Sequence, residues 1–134
     1  MERKSINRYR SFCKSLENLG EARERSPQDK FVLSGTAQMF NLSFDLSWKV
    51  MKDIIREFHG VPEYPTGSPR ETLRIARSVG LIEDDLWVEM LRVRNNLAHD
   101  YDGELALKYF QDILQKYEGL MRCFCERASE YYEC

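Results

Sequence analysis

The sequence of 134 residues lacks any long uninterrupted apolar run and any excess of basic charge. No segment approaches the roughly 20 apolar residues that cross a bilayer, and the N-terminus has no hydrophobic region typical of a signal peptide. We therefore expect a protein that does not enter membranes and that resides in the cytoplasm. The formal net charge of −2 also argues against broad, sequence-independent binding to nucleic acid.

Cysteine and histidine are scarce, with four and two copies in the chain. The cysteines lack the spacing of zinc ribbons and are interpreted as reduced thiols: Cys13, Cys123, Cys125 and Cys134. A zinc site would require these residues to converge with His59 and His99 from distant positions. We therefore predict neither a metal site nor a cofactor, and we expect His59 to be an exposed loop residue.

Helical periodicity runs through the whole chain, and no strand pattern competes with it. Apolar residues repeat at steps of three and four in five segments, which predict helices over about 5–22, 27–58, 69–79 and 83–98, and from 104 towards the C-terminus. Ser26 and Ser68 each precede a proline, and both are predicted helix N-caps. The pattern predicts an all-α fold, an antiparallel up-and-down four-helix bundle with an additional short helix, in which residues 1–134 form a single domain.

The second predicted helix carries two apolar stripes instead of one. They consist of Met39, Leu42, Leu46, Val50 and Ile54, and of Phe40, Phe44, Trp48, Met51 and Ile55. A helix with two apolar faces has to be covered on two sides, either as the central helix of one bundle or through self-association of two chains. The aromatic residues are interpreted as core, with a ligand-binding surface as the alternative.

Arginines recur at helical spacing in the third and fourth predicted helices. Arg70, Arg74 and Arg77 lie along the third helix, and Arg92 and Arg94 follow in the fourth. If these helices pack together, the arginines can converge into a phosphate-binding pocket. The competing interpretation is a solvated charged face, which is the usual meaning of such charge runs.

The segment from Arg94 to Tyr101 brings a guanidinium, amides, an imidazole and a phenol together within eight residues. In a continuous helix Arg94 and Tyr101 would share a face, whereas His99 would point to one side. The three side chains therefore meet only if the helix ends near Ala98. With that geometry Arg94 can hold a phosphate and His99 can accept a proton, as attack of an RNA 2′-hydroxyl on its adjacent phosphate requires. Asn95 can orient either group by hydrogen bonding.

A purely structural interpretation of the same residues is also available. The helix dipole favours a cation such as Arg94 near a helix C-terminus, and His99 can cap the last carbonyl groups. The ring of Tyr101 can pack into the bundle. Spacing alone does not separate this interpretation from a catalytic one.

The order of these residues resembles the arginine-x4-histidine-x-tyrosine signature of the HEPN superfamily. Segments 46–53, 68–74, 79–82 and 86–91 further resemble the nucleotidyltransferase substrate-binding protein family within it, over most of the chain from about Phe40 onwards. The resemblance implies a helical bundle, usually a homodimer, that acts beside a separate minimal nucleotidyltransferase. Where such pairs are toxin and antitoxin, it implies a metal-independent ribonuclease with Arg94, Asn95 and His99 as catalytic residues. Tyr101 would then accept AMP from the partner.

Two functions from different classes follow from this resemblance. One is a ribonuclease toxin that acts on RNA and is neutralised by AMP transfer to Tyr101. The other is a non-catalytic subunit that binds a nucleotide or another substrate for its nucleotidyltransferase. The complete signature favours the first, whereas the acidic composition departs from what a free-standing ribonuclease suggests.

Overall fold

The computed structural model describes residues 3–60, 67–100 and 102–132, and every regular element within these ranges is helical. The helices are α1 (Arg3–Gly20), α2 (Lys30–Phe58), α3 (Pro69–Ser78), α4 (Leu86–Leu97), α5 (Glu104–Asp112) and α6 (Glu118–Tyr132). A 3-10 turn (Glu21–Glu24) follows α1, and a π-helical turn (Ile113–Tyr117) joins α5 to α6. The prediction of an all-α bundle is confirmed. None of the described helices is long and apolar enough to cross a membrane.

Helix α2 lies at the centre of the bundle, where it packs against α1, α3, α4, α5 and α6. Helix α1 runs antiparallel to both α2 and α6. As residue numbers rise along α1, those of the contacting residues fall: Ser5–Glu57, Arg8–Asp53 and Ser15–Ser43 with α2, and Tyr9–Tyr132 and Phe12–Phe124 with α6. Helices α2 and α6 consequently point in the same direction.

The two apolar stripes of α2 are covered to different extents. The aromatic stripe is largely covered. Four of its residues are fully buried, namely Phe40, Phe44, Met51 and Ile55, and Trp48 is half-buried. On the other stripe Val50 and Ile54 are buried, but Leu42 is 47% exposed. Met39 and Leu46 beside it are half-buried. We call Met39, Leu42 and Leu46 the α2 strip, an apolar surface that one chain leaves partly open.

Helix α2 is capped by Asp29, so the prediction that Ser26 caps it is wrong. The Asp29 carboxylate accepts a hydrogen bond from the Phe31 N–H at 2.8 Å. The Ser26 hydroxyl accepts from the Gln28 N–H at 3.2 Å, in the turn before the helix. The sequence offers two caps three residues apart, and the carboxylate nearer the apolar pattern is the one that meets the free N–H groups of the first turn.

The start of α3 was predicted correctly and that of α4 was not. The Ser68 hydroxyl accepts from the Glu71 N–H at 3.2 Å, with Pro69 as the first helical residue. Helix α4 begins at Leu86 instead of about Glu83, because the Asp84 carboxylate accepts from the Leu86 N–H at 2.9 Å and so satisfies the first N–H group of the helix from outside it. Two further prolines, Pro62 and Pro65 between α2 and α3, fall within 61–66, outside the described residues.

The π-helical turn between α5 and α6 is a feature that periodicity did not predict. Arg23 donates to the Leu114 carbonyl at 2.6 Å and to the Glu118 carboxylate at 3.0 Å. Arg122, one turn beyond Glu118, donates to the same carboxylate oxygen at 2.6 Å. A π turn disturbs the regular pairing of helix carbonyl groups, and Arg23 supplies a partner for one of them from a distant part of the chain.

Candidate functional site

Helix α4 ends just before the motif histidine. The Ala98 N–H donates to the Arg94 carbonyl at 3.2 Å, which is the α-helical pattern. The next N–H, that of His99, donates instead to the Asn96 carbonyl at 3.1 Å, so the chain tightens into a 3-10 turn and leaves the helix. The prediction that the helix ends near Ala98 is therefore confirmed. Because His99 lies outside the helix, its side chain does not have the direction that a continued helix would give it.

Arg94 is held in place by Asp45 of α2. The Arg94 Nε and Nη2 atoms donate to the two carboxylate oxygens of Asp45 at 3.0 and 2.8 Å, a bidentate pair. The side chains of Arg94 and Asp45 are 33% and 28% exposed, so the ion pair is partly accessible to solvent. Hydrogen bonding to Asp45 raises the pKa of Arg94, although burial opposes it, and the guanidinium stays charged.

The pairing with Asp45 uses only one edge of the Arg94 guanidinium. An arginine side chain has five N–H groups, and two of them face Asp45. The Nη1 group makes only a long 3.5 Å contact with the Asn95 side-chain oxygen. The outer edge is therefore available to a phosphate, in an orientation that Asp45 fixes.

The other motif side chains lie on the surface at the same end of α4. Asn95 and His99 are both exposed, which leaves the imidazole accessible to a substrate. Tyr101, the predicted AMP acceptor, lies outside the described residues. The structure thus places Arg94, Asn95 and His99 within one turn of a helix end, and it adds Asp45, which sequence reasoning missed. The available signal was an isolated acid among the apolar residues of α2.

Asp100 anchors the loop that carries the histidine. Its carboxylate accepts from the Leu105 N–H at 3.1 Å and from the Ala106 N–H at 2.8 Å, both in the first turn of α5. The loop closes at Gly103, whose φ of +78° is favoured by glycine. Asp100 therefore connects the start of α5 to the residue next to His99 and restricts where the imidazole can move.

A groove of about 390 Å³ flanks this loop on the side of α2. Asn41, Leu97, Asp100 and Asp102 are among the residues that line it. The Asn41 side-chain oxygen is buried and has no hydrogen-bond partner. Because acceptors predominate, the groove suits amino or hydroxyl groups of a ligand rather than a phosphate.

The arginines of α3 line a separate groove of about 610 Å³ between α3 and α4. Arg70, Arg74 and Arg77 are exposed along it, and Arg77 forms an ion pair with Asp85. Glu71, Asp84 and Asp85 line the same groove, so it has no clear excess of positive charge. Arg92 is exposed on α4 and, like Arg94, is not among the lining residues. Packing of α3 on α4 does not gather the five arginines into one pocket.

The second histidine contributes to packing at the far end of α2. His59 lies just beyond α2, as expected of a loop residue, but it is half-buried with its Nε2 3.0 Å from the Tyr131 hydroxyl, so the expectation that it is exposed is wrong. Its ring also packs against that of Tyr131, with centroids 5.9 Å apart. Over the described ranges, no three His, Cys, Asp or Glu side chains are grouped as metal ligands.

Comparison with known proteins relates the whole bundle to a family. The family model described as "Nucleotidyltransferase substrate binding protein like" matches residues 4–130. A crystal structure of a protein from Thermus thermophilus is similar, with 30% sequence identity and a TM-score of 0.75, over 87% of this chain and 98% of that one. No curated protein sequence gave a match. The family model spans nearly all of the chain, and the chain therefore belongs to the nucleotidyltransferase substrate-binding protein-like family.

Proposed function

We propose that this chain is the HEPN-type subunit of a two-component system with a separate minimal nucleotidyltransferase, and that it is a metal-independent ribonuclease acting in the cytoplasm. The proposal rests on the way in which the Arg94 side chain is held. One edge of its guanidinium is fixed by Asp45 at 2.8–3.0 Å, and the exposed His99 follows five residues later, just beyond the end of α4. A fixed cation beside an accessible base is what phosphate-transesterification chemistry needs.

In the proposed reaction the RNA supplies its own nucleophile. His99 removes the proton from a ribose 2′-hydroxyl, whose oxygen attacks the adjacent phosphorus. The bond from phosphorus to the 5′-oxygen breaks, giving a 2′,3′-cyclic phosphate and a 5′-hydroxyl that takes up a proton. The outer edge of Arg94 stabilises the charge that develops on the phosphate oxygens, and Asn95 orients one of them.

Self-association through the α2 strip is part of the proposal. Leu42 and Leu46 lie three residues before and one residue after Asp45, so the partly open apolar surface borders the site. A homodimer that covers this strip would bring two copies of the Arg94 and His99 pair to opposite sides of one cleft. RNA bound there would meet both copies, and the exposed Arg70, Arg74, Arg77 and Arg92 would be outlying contacts to its backbone.

Neutralisation would occur by AMP transfer from the nucleotidyltransferase. The Tyr101 hydroxyl attacks the α-phosphorus of ATP and pyrophosphate leaves, so the tyrosine carries an added anion two residues from His99. The phosphate can occupy the free edge of Arg94 by a charge-assisted hydrogen bond, and the nucleoside obstructs the cleft. Both effects exclude RNA.

Cleavage of RNA by the purified chain without metal ions tests the catalytic part. We expect His99→Ala and Arg94→Ala to reduce the rate at least 100-fold, whereas the exposed neighbour Asn96→Ala serves as the matched control and retains activity. Equal activity of His99→Ala and the control would show that cleavage comes from a contaminant or another site.

Intact mass tests the modification separately. The chain is incubated with ATP, magnesium and its partner nucleotidyltransferase, and a gain of one AMP unit is expected for the wild type but not for Tyr101→Phe. Tyr109→Phe, which changes a half-buried tyrosine of α5, is the control and should gain AMP. Loss of modification in both variants would point to a damaged complex instead of a lost acceptor.

A non-catalytic binding subunit is the second candidate function, and one observation favours it. The groove beside the loop presents acceptors, including the unpartnered oxygen of Asn41, which suit the amino and hydroxyl groups of a nucleoside. A stable complex with the nucleotidyltransferase that shows no AMP transfer and no RNA cleavage would support this function.

A further inference from the structure

Two cysteines distant in sequence meet where α1 packs on α6. The Sγ atoms of Cys13 and Cys125 lie 2.8 Å apart although the residues are separated by 112 positions. Both side chains are half-buried, and neither cysteine is in a disulfide. The separation exceeds the roughly 2.05 Å of a disulfide bond but lies within hydrogen-bonding range of a thiol.

The helices around the two thiols are held in a fixed register. Phe12 and Phe124, the residues immediately before the cysteines, pack with ring centroids 5.8 Å apart. One to two turns away, Tyr9 and Tyr132 pack at 5.3 Å. These contacts belong to the buried core, so the thiols are kept together by packing that does not depend on them.

The two thiols interact with each other directly. The hydrogen bond with Cys13 is the main cause that raises the pKa of Cys125, with burial second. Either thiol can be the donor across this contact, and attack by either sulfur gives the same product.

We propose that Cys13 and Cys125 are a modification site at which hydrogen peroxide forms an intramolecular disulfide between α1 and α6. The thiolate of one of the two cysteines attacks one peroxide oxygen, the O–O bond breaks, and the released hydroxide takes up a proton to become water, leaving a sulfenic acid. The sulfur of the other cysteine then attacks the sulfur of the sulfenic acid, its proton leaves with the hydroxyl group as a second water, and the S–S bond forms. Two thiols are oxidised and one peroxide is reduced.

The disulfide would connect the first helix of the bundle to the last. Because 112 positions separate the cysteines, the bond would restrict most of the unfolded chain. The site is distinct from Arg94 and His99, and the proposal does not depend on the proposed function.

The test uses the full chain carrying Cys123→Ser and Cys134→Ser, so that only the pair in question remains. After treatment of the folded protein with hydrogen peroxide and blocking with N-ethylmaleimide, we expect a mass lower by about 2 Da with no maleimide uptake. Proteolysis should yield one peptide pair joined through Cys13 and Cys125. The melting temperature of the oxidised form should be higher by about 10 °C than that of the reduced form.

Two controls make the outcome decisive. Adding Cys13→Ser should abolish the cross-link, and performing the oxidation in concentrated urea should slow it at least tenfold, because the fold no longer brings the thiols together. The proposal is overturned if both thiols of the folded chain still react with maleimide after a peroxide dose that oxidises the exposed Cys123 of the wild type. Cross-linking at an equal rate in urea, or a disulfide between two chains, would overturn it as well.

Discussion

Ion pairs in the body of the bundle differ from the one at the end of α4. Asp53 and Glu118 are 2% and 0% exposed, and each contacts two arginines, Arg8 with Arg56 and Arg23 with Arg122. Asp45 is 28% exposed and binds a single arginine, Arg94, through one edge. The difference lies in the carboxylates: those of Asp53 and Glu118 are enclosed by the packed helices, whereas both partners of the pair at the end of α4 reach solvent.

This comparison predicts that the enclosed pairs matter most for stability and the open pair most for activity. Glu118→Ala should lower the free energy of unfolding by about 3 kcal/mol, because it leaves Arg23 and Arg122 without their buried partner and loosens Arg23, which supports the π-helical turn. Urea denaturation monitored by circular dichroism measures the loss. Glu118→Gln, which keeps the shape and one acceptor oxygen, should be intermediate; a loss below about 1 kcal/mol for Glu118→Ala would remove the distinction.

Asp53 should show a pH dependence of opposite sign to that of an ordinary ion-paired carboxylate. Burial raises its pKa above 3.8, and the lowering effects of Arg8 and Arg56 do not offset this. A raised pKa means that the stability contributed by Asp53 is complete below pH 3.8 and decreases as the pH rises through the folded-state value. We expect the stability of the wild type relative to Asp53→Asn to decline from about pH 4 upwards, measured by urea denaturation at successive pH values. If the stability of the wild type relative to Asp53→Asn instead increases with pH, the effect of Arg8 and Arg56 on the pKa of Asp53 exceeds that of burial.

At the open pair, Asp45→Ala should lower the free energy of unfolding by less than about 1 kcal/mol, since both partners reach solvent. The rate of RNA cleavage should nevertheless fall at least tenfold, because Arg94 loses the contact that orients its outer edge. Asp45→Asn retains one acceptor and should recover part of the rate. Unchanged cleavage by a folded Asp45→Ala chain would exclude a positioning role.

The smallest effect is expected at a fully surface-exposed pair. Lys14 and Glu17 lie 3.7 Å apart on α1, and each side chain is 72% exposed. Glu17→Ala should change the free energy of unfolding by no more than about 0.3 kcal/mol, measured by the same denaturation experiment. A change as large as that of Glu118→Ala would show that burial does not determine the contribution of charge pairs in this bundle.

Features governed by neighbouring residues were predictable from the sequence. The end of α2 at Phe58, the Ser68 cap and the end of α4 near Ala98 all follow from local signals, namely periodicity, a proline and turn residues. Local signals predicted the wrong residue where two of them competed: at the start of α2 both Ser26 and Asp29 could cap the helix, and Asp29 does so.

Features that join distant positions could not be read from the pattern. The Asp45 contact with Arg94 spans 49 positions and depends on how α2 meets α4. The π-helical turn depends on Arg23, which lies 91 positions before the carbonyl that it contacts. The sequence shows Arg94, Asn95 and His99 as a motif. The orientation of Arg94, however, depends on Asp45, and an aspartate in a helix predicts by itself only a solvated acid.

The π-helical turn also determines which neighbours the last helix can reach. An α-helix turns by about 100° per residue, so one additional residue rotates everything after it by about that angle. Helix α5 packs on α2 and α4, whereas α6 packs on α1 and α2. A deletion of one residue within Ile113–Tyr117 would therefore leave both α5 and α6 helical. It would rotate α6 about its own axis, so that the face now buried against α1 would point elsewhere.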